Sequence, residues 1–262
     1  MSFLRRLLGG KETELNLTAT FFTRIRDNAT VEVVGEAYRQ NQVREARPPS
    51  ATDLPPGLPA PPAGHYKAML IPEPSNKYDK DAIKVLLWAG GAWTTTGYLS
   101  RLDAGRYKPL FRHLAVRADG GSPAVAFDAA LVSERGGSGV VLHLGTPGEC
   151  AVELATEDLT PAHHRWAGKY VVFTGQGGTT VLGVPLDREG QQMLARWAGC
   201  EVLPRLTKSA DALIVADSDQ VTANLQKAQS YGIEIVPEEA FIAEIGVGPE
   251  AIGRVTGRWA RQ

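Results

Sequence analysis

The hydrophobic pattern of this chain changes period once, and that change limits what it can fold into. Before about residue 155, apolar and polar residues alternate in short runs, as in TVEVVGEAY (Thr30–Tyr38) and WTTTGYL (Trp93–Leu99). A period of two with β-branched residues is the pattern of half-buried strands. After residue 168 the apolar runs become short and continuous, KYVVFTG (Lys169–Gly175) and DALIVAD (Asp211–Asp217), with stretches of helical length between them. Strands without polar alternation belong to a parallel sheet covered on both faces. Two patterns in one chain imply two domains, and 262 residues suffice for both.

The expected organisation is a leader over 1–27, a mostly β domain over 28–154, a linker over 155–167, an α/β domain over 168–246 and a tail over 247–262. In the β domain, strands are expected at Thr30–Tyr38, His65–Pro74, Ala82–Trp88 and Trp93–Leu99. A helical stretch near Asp103–His113 and a closing hairpin, Ala124–Glu134 with Gly139–Gly145, follow. Strands at this spacing suggest a small barrel. The proline density of Pro48–Pro62 excludes a helix or central strand, so an exposed loop is expected there. The second domain reads β-α-β-β-α-β-α, an α/β sandwich with a four-stranded parallel sheet. Asp187 is a natural N-cap for its first helix, and Gly199 its C-terminal glycine.

Charge divides the same way. The net charge of the chain is −1, so any nucleic-acid contact needs a local patch. Residues 77–112 carry seven basic side chains against three acidic ones, a local +4, whereas residues 168–245 carry six against ten, a local −4. An acidic module is poorly suited to phosphate backbones and better suited to a protein partner. Cys150 and Cys200 cannot build a disulfide scaffold and form no CxxC pair, so two reduced core thiols are expected. No apolar run approaches the roughly 20 residues of a membrane span. Arg5 and Arg6 interrupt the opening MSFLRRLLGG. A cytoplasmic protein without membrane contact is expected, nucleoid-associated if it binds DNA. The loop Gly175-Gln176-Gly177-Gly178 lacks the lysine of a nucleotide-binding loop. His163 and His164 are adjacent, so their side chains diverge, and no metal set accompanies them. No catalytic residue, metal or cofactor is nominated, and the chain reads as non-enzymatic.

GKYVVFTG (Gly168–Gly175), the helix ending in WAGCEV, LTKSADALIVAD (Leu206–Asp217) and KAQSYGIEIVPEEAF (Lys227–Phe241) follow one another at domain-length spacing. This half resembles a BRCT domain, most of all the one that ends bacterial NAD-dependent DNA ligases. The resemblance implies a protein-binding module. In phosphopeptide-binding members a Ser or Thr and a glycine after the first strand, with a lysine on the second helix, receive the phosphate. Thr174 and Gly175 match the first part. Asn224 stands at the lysine's expected place, and Lys227 comes one turn later. Read from the residues alone, Thr174 serves equally well as a turn former.

In the first half, VVGEAY is followed by IPEPSNKYDKDAIKVLLW (Ile71–Trp88) and TTGYLS (Thr95–Ser100). Over residues 30–145 this resembles a HIRAN domain, which implies a small OB-like β-barrel. A well-understood member captures the 3′ end of single-stranded DNA, with aromatics stacked on the terminal bases and an aspartate accepting from the 3′-hydroxyl. Carried over, Tyr38 and Tyr78 are the aromatics and Asp79 the acceptor, with Arg39, Lys80, Tyr98 and Arg101 around them. Ala37 replaces an arginine of that member, and Tyr98 a histidine. The residues themselves also allow Tyr78 as a barrel-wall residue and Asp79 as a turn former. Two functions are therefore carried forward. One is a repair or replication adaptor whose barrel binds single-stranded DNA ends while the second domain holds a protein partner. The other is a protein-interaction scaffold without a nucleic-acid role, in which Tyr78→Ala would lower stability by a core-like amount, about 2 kcal/mol or more.

Overall fold

The structure is a computed structural model, which describes residues 17–22, 30–35, 43, 46–50, 53–54, 60–89, 91–117, 122–134, 137–157, 159–160, 165–175, 178–216, 223–248 and 251–254. The chain divides into two compact units, Met1–Gly145 and Thr146–Gln262.

In the first unit, strands β1 (Leu17–Phe22), β2 (Thr30–Val34), β3 (Tyr66–Pro72), β4 (Ile83–Ala89), β5 (Ala92–Leu99), β6 (Ser122–Glu134) and β7 (Gly137–His143) form one sheet. Their order is β1-β6-β3-β4-β5-β2-β7, and β7 pairs again with β6. Strands β2 to β7 therefore return on themselves as a barrel-like antiparallel sheet, which removes their free edges. The length of β6 makes this possible. Its first half carries β1 in parallel, Leu17 opposite Ser122, and its second half carries β7, Asp128 opposite His143. The expected leader thus contains a strand. Its partner lies about a hundred residues away, so no local pattern announces it.

Strands β3 and β4 are buried along nearly their whole length rather than alternately. Helix α1 (Arg101–Arg117) packs on β5 and β6 through Ala104, Tyr107, Leu110, Phe111 and Leu114, which share one face. Lys67 is tolerated inside because Asp128 stands directly across the β3–β6 ladder and pairs with it. Trp88 and Trp93 face each other across the β4–β5 hairpin, edge to face at 5.2 Å. Leu54 packs against this cluster, and the Trp88 indole donates to the Asp53 carbonyl at 2.9 Å. The described part of the proline-rich segment is therefore in part a cover for the core rather than a wholly exposed loop. Gly97 is required by crowding: a Cβ there would lie 2.4 Å from the Val34 carbonyl oxygen of the neighbouring strand.

The second unit opens with helix α2 (Pro147–Thr156), followed by β8 (Tyr170–Thr174), β9 (Thr179–Val181), β10 (Val184–Pro185), α3 (Arg188–Trp197), β11 (Glu201–Val202), β12 (Ala212–Val215), α4 (Ala223–Tyr231), β13 (Glu234–Pro237), α5 (Glu238–Glu244) and β14 (Ile252–Arg254). A parallel four-stranded sheet runs β11-β8-β12-β13, as the continuous apolar runs require, beside a small antiparallel sheet β10-β9-β14. The unit is larger than expected at both ends. β14 lies in the expected tail, and α2 lies in what the sequence assigns to the β domain and the linker. Helix α2 belongs here because it packs on α3. Gly148 and Gly190 meet so closely that a Cβ on Gly190 would lie 2.8 Å from the Gly148 carbonyl carbon. Asp187 caps α3 and reaches the start of α2, which Thr146 and Glu149 cap with a capping box: the Asp187 carboxylate accepts from Gly190 N–H (2.9 Å), Gly148 N–H (3.4 Å) and the Thr146 hydroxyl (3.0 Å). The end of the expected linker is also fastened down. Trp166 is buried against Phe241, its indole donates to Glu244, and Arg165 pairs with Glu234 and Glu244.

Candidate functional site

The turn between β3 and β4 is built almost entirely by its own polar side chains. Glu73 N–H donates to the Ala82 carbonyl at 2.9 Å, closing the neck. Asn76 accepts from the backbone N–H groups of Tyr78 (3.0 Å) and Asp79 (3.2 Å) and donates to the Glu73 carboxylate (2.8 Å). Asp79 in turn accepts from Asp81 N–H at 2.9 Å. Side chains that accept from the backbone two or three residues on fix a turn without needing a core. Glu73 is the hub. It also takes the Tyr98 hydroxyl at 2.9 Å and the Lys84 ammonium at 2.5 Å. Burial pushes its carboxyl upward, but the donors Lys84, Asn76 and Tyr98 prevail and hold it below the usual range.

This rigid turn presents Tyr78 to solvent: its side chain is 95% exposed. The ring is therefore not part of the barrel wall. Asp79 is the turn former that the residues allowed, and its second oxygen lies 3.3 Å from Arg101 Nε at the start of α1. Lys80 is exposed beside it. Tyr98 is brought to the same loop but as a brace, with its hydroxyl on Glu73. Tyr38 and Arg39 lie outside the described residues. Lys84, part of the basic excess read from the sequence, is buried on Glu73 and leaves the surface. The surface balance of residues 77–112 is then six cations (Lys77, Lys80, Arg101, Arg106, Lys108, Arg112) against Asp79, Asp81 and Asp103, a net +3. Chemically, the loop offers an unoccupied aromatic face, a carboxylate and a surplus of cations.

In the second unit, Thr174 ends β8 and is nearly buried, and the Asn224 amide approaches its hydroxyl at 3.5 Å. Gly175, at φ +74°, turns its carbonyl to Arg188 Nη2 (2.8 Å) and Gln191 Nε2 (3.3 Å). Lys227 is not in this group. It donates to the Leu206 carbonyl at 3.0 Å and lies over the Tyr231 ring at 5.5 Å. The expected set therefore separates, with Thr174, Gly175 and Asn224 together and Lys227 elsewhere: one turn further along α4, Lys227 is held by the Leu206 carbonyl and the Tyr231 ring. The cation beside the loop is Arg188, which the sequence reading did not single out. Burial lowers its guanidinium from the ordinary value. Gln191 and Glu238 complete a buried polar cluster behind it, joined by a hydrogen bond. A glutamine at a core position of an amphipathic helix was the available signal. His163 and His164 lie outside the described residues, and among the described residues no group of three His, Cys, Asp or Glu side chains could hold a metal ion. Likewise no helix there is long and apolar enough to cross a membrane.

Compared with known proteins, the chain matches no family model and no curated protein.

Proposed function

We propose that this protein is a non-enzymatic DNA repair or replication adaptor: a HIRAN-like, OB-like barrel that binds single-stranded DNA at its 3′-hydroxyl end, joined to a BRCT-like unit that holds a protein partner. One observation carries the reading: a tyrosine 95% exposed, on a turn that its own side chains make rigid, next to a carboxylate and a cationic surplus. An aromatic with no core contact to make is available to stack on a base, at about 1–3 kcal/mol per base. Asp79 can accept from a terminal hydroxyl, while a terminal phosphate would meet its negative charge. The acidic balance of residues 168–245 supports a protein rather than a nucleic-acid partner for the second unit. The set Thr174, Gly175 and Asn224 holds no lysine, so the partner proposed need not be phosphorylated.

One observation favours the scaffold instead. Both Asp79 oxygens already have partners in the free protein, Asp81 N–H and Arg101. The test is fluorescence anisotropy of a labelled single strand with a free 3′-hydroxyl against the same strand with a 3′-phosphate, at two salt concentrations. Preference for the hydroxyl supports end capture. Equal, salt-sensitive binding reduces the reading to a general strand-binding barrel, and no binding leaves the scaffold.

A further inference from the structure

We propose that the side of α1 bearing Arg101, Lys108 and Arg112 is the track along which a single DNA strand leaves the Tyr78 loop, its phosphates replacing Asp79 and Asp81 as partners of Arg101 and Lys108. This rests on the reading of that loop as a strand-end site.

At 3.6 residues per turn, positions 101, 108 and 112 fall within about 40° of one another. They stand away from the buried face of Ala104, Tyr107, Leu110, Phe111 and Leu114. The row rises 11 residues, roughly 16 Å at ~1.5 Å per residue. It lies beside the loop, because two ion pairs tie them together. Arg101 meets Asp79 at 3.3 Å, and Lys108 meets Asp81. Arg112 extends the row. The hydrogen bond from Lys108, then the charges of Lys108 and Arg112, hold the Asp81 carboxyl below its ordinary value. Lys77 and Lys80 are exposed on the loop itself. The row therefore already holds two carboxylates where a strand would place phosphates. Each pair has one well-solvated partner, Arg101 at 85% and Asp81 at 53% side-chain exposure, and one half-buried, Asp79 at 29% and Lys108 at 32%. Solvated pairs add little to stability and exchange readily. A strand that displaces them also releases its own condensed counterions, which the carboxylates cannot match.

The experiment uses the full chain and 5′-labelled oligodeoxythymidylates of two, four and eight nucleotides with free 3′-hydroxyls, titrated over a range of salt. The unaltered protein should bind more tightly from two to four nucleotides and level off near that length, at the lower end of strand-binding site sizes. Lys108→Gln with Arg112→Gln should leave the dinucleotide unaffected. It should weaken the eight-nucleotide strand roughly tenfold and flatten its salt slope by about 1.4, ~0.7 per lost contact. Asp81→Asn, which frees Lys108, should bind the longer strand more tightly, a gain that misfolding cannot produce. Unchanged affinity and slope in the double variant, with Tyr78→Ala still weakening both strands, overturns the track and spares the strand-end reading. No binding by the unaltered chain overturns both.

Discussion

Replacing Tyr78 by alanine should separate the proposed strand recognition from stability. The ring is 95% exposed, and the turn beneath it is held by hydrogen bonds of Asn76, Glu73 and Asp79 that do not involve the ring. Removing it exposes no core and orphans no buried polar group. The expected cost is within about 0.5 kcal/mol, as for surface substitutions in general. At about 2–4 °C per kcal/mol for a chain of this size, the melting temperature should move by no more than about 2 °C. Loss of one stacked base costs about 1–3 kcal/mol, a roughly 5- to 150-fold rise in Kd. Differential scanning fluorimetry and strand anisotropy on the same sample read both quantities. The complementary change, Asn76→Ala, leaves the ring in place but removes acceptors for two backbone N–H groups and the brace to Glu73. It should destabilise by about 2 kcal/mol, about 1 per hydrogen bond on two of them, and weaken strand binding as well. A Tyr78→Ala protein that melts about 4–8 °C lower and binds as before would refute the reasoning, since that is the signature of a core residue.

Three further outcomes follow from the second unit. Asp187→Ala removes the N-cap of α3 and should cost about 1 kcal/mol, while Asp187→Asn should retain most of it; an earlier denaturation midpoint with unchanged slope checks this. Burial raises the Glu238 carboxyl above its unfolded value of 4.5, so the stability it contributes is present below that value and lost as pH rises through the higher folded value. Glu238→Gln should accordingly gain melting temperature over the unaltered protein at neutral pH, with the gap closing towards pH 4; a gap independent of pH would contradict the sign. Burial pushes the Cys200 thiol up to about 11, and Cys150 is equally buried, so neither should react with iodoacetamide at neutral pH until denaturant opens the unit.

What could be read in advance depended on how local each cause is. The strands at Tyr170–Thr174 and Ala212–Val215 were legible because an apolar run between glycine and charge has few other fates. The Asp187 cap was legible for α3, since it needs only its own neighbours, but its second task on α2 was not. Membership of α2 in the second unit turns on the meeting of Gly148 with Gly190, 42 residues apart, and no periodicity records that. In the candidate site, Asp79 was legible as a turn former, and the exposure of Tyr78 was one of two open readings. Tyr98 was expected beside the binding residues by resemblance; its bond to Glu73, 25 residues earlier, was not legible. The departure of Lys227 from Thr174 was not legible, because it depends on the Leu206 carbonyl, 21 residues earlier, which takes its ammonium.

The pairing of β1 with β6 has a consequence in time. Leu17–Phe22 leaves the ribosome about a hundred residues before Ser122–Ala126, the segment with which it pairs. At about 5–20 residues per second, that interval is roughly 5–20 s. Over that period LTATFF has no strand to join, a state in which an unpaired strand is open to other chains. The β6 edge it requires is also the one on which β7 closes the ring, so β1 must wait for a strand made well after it.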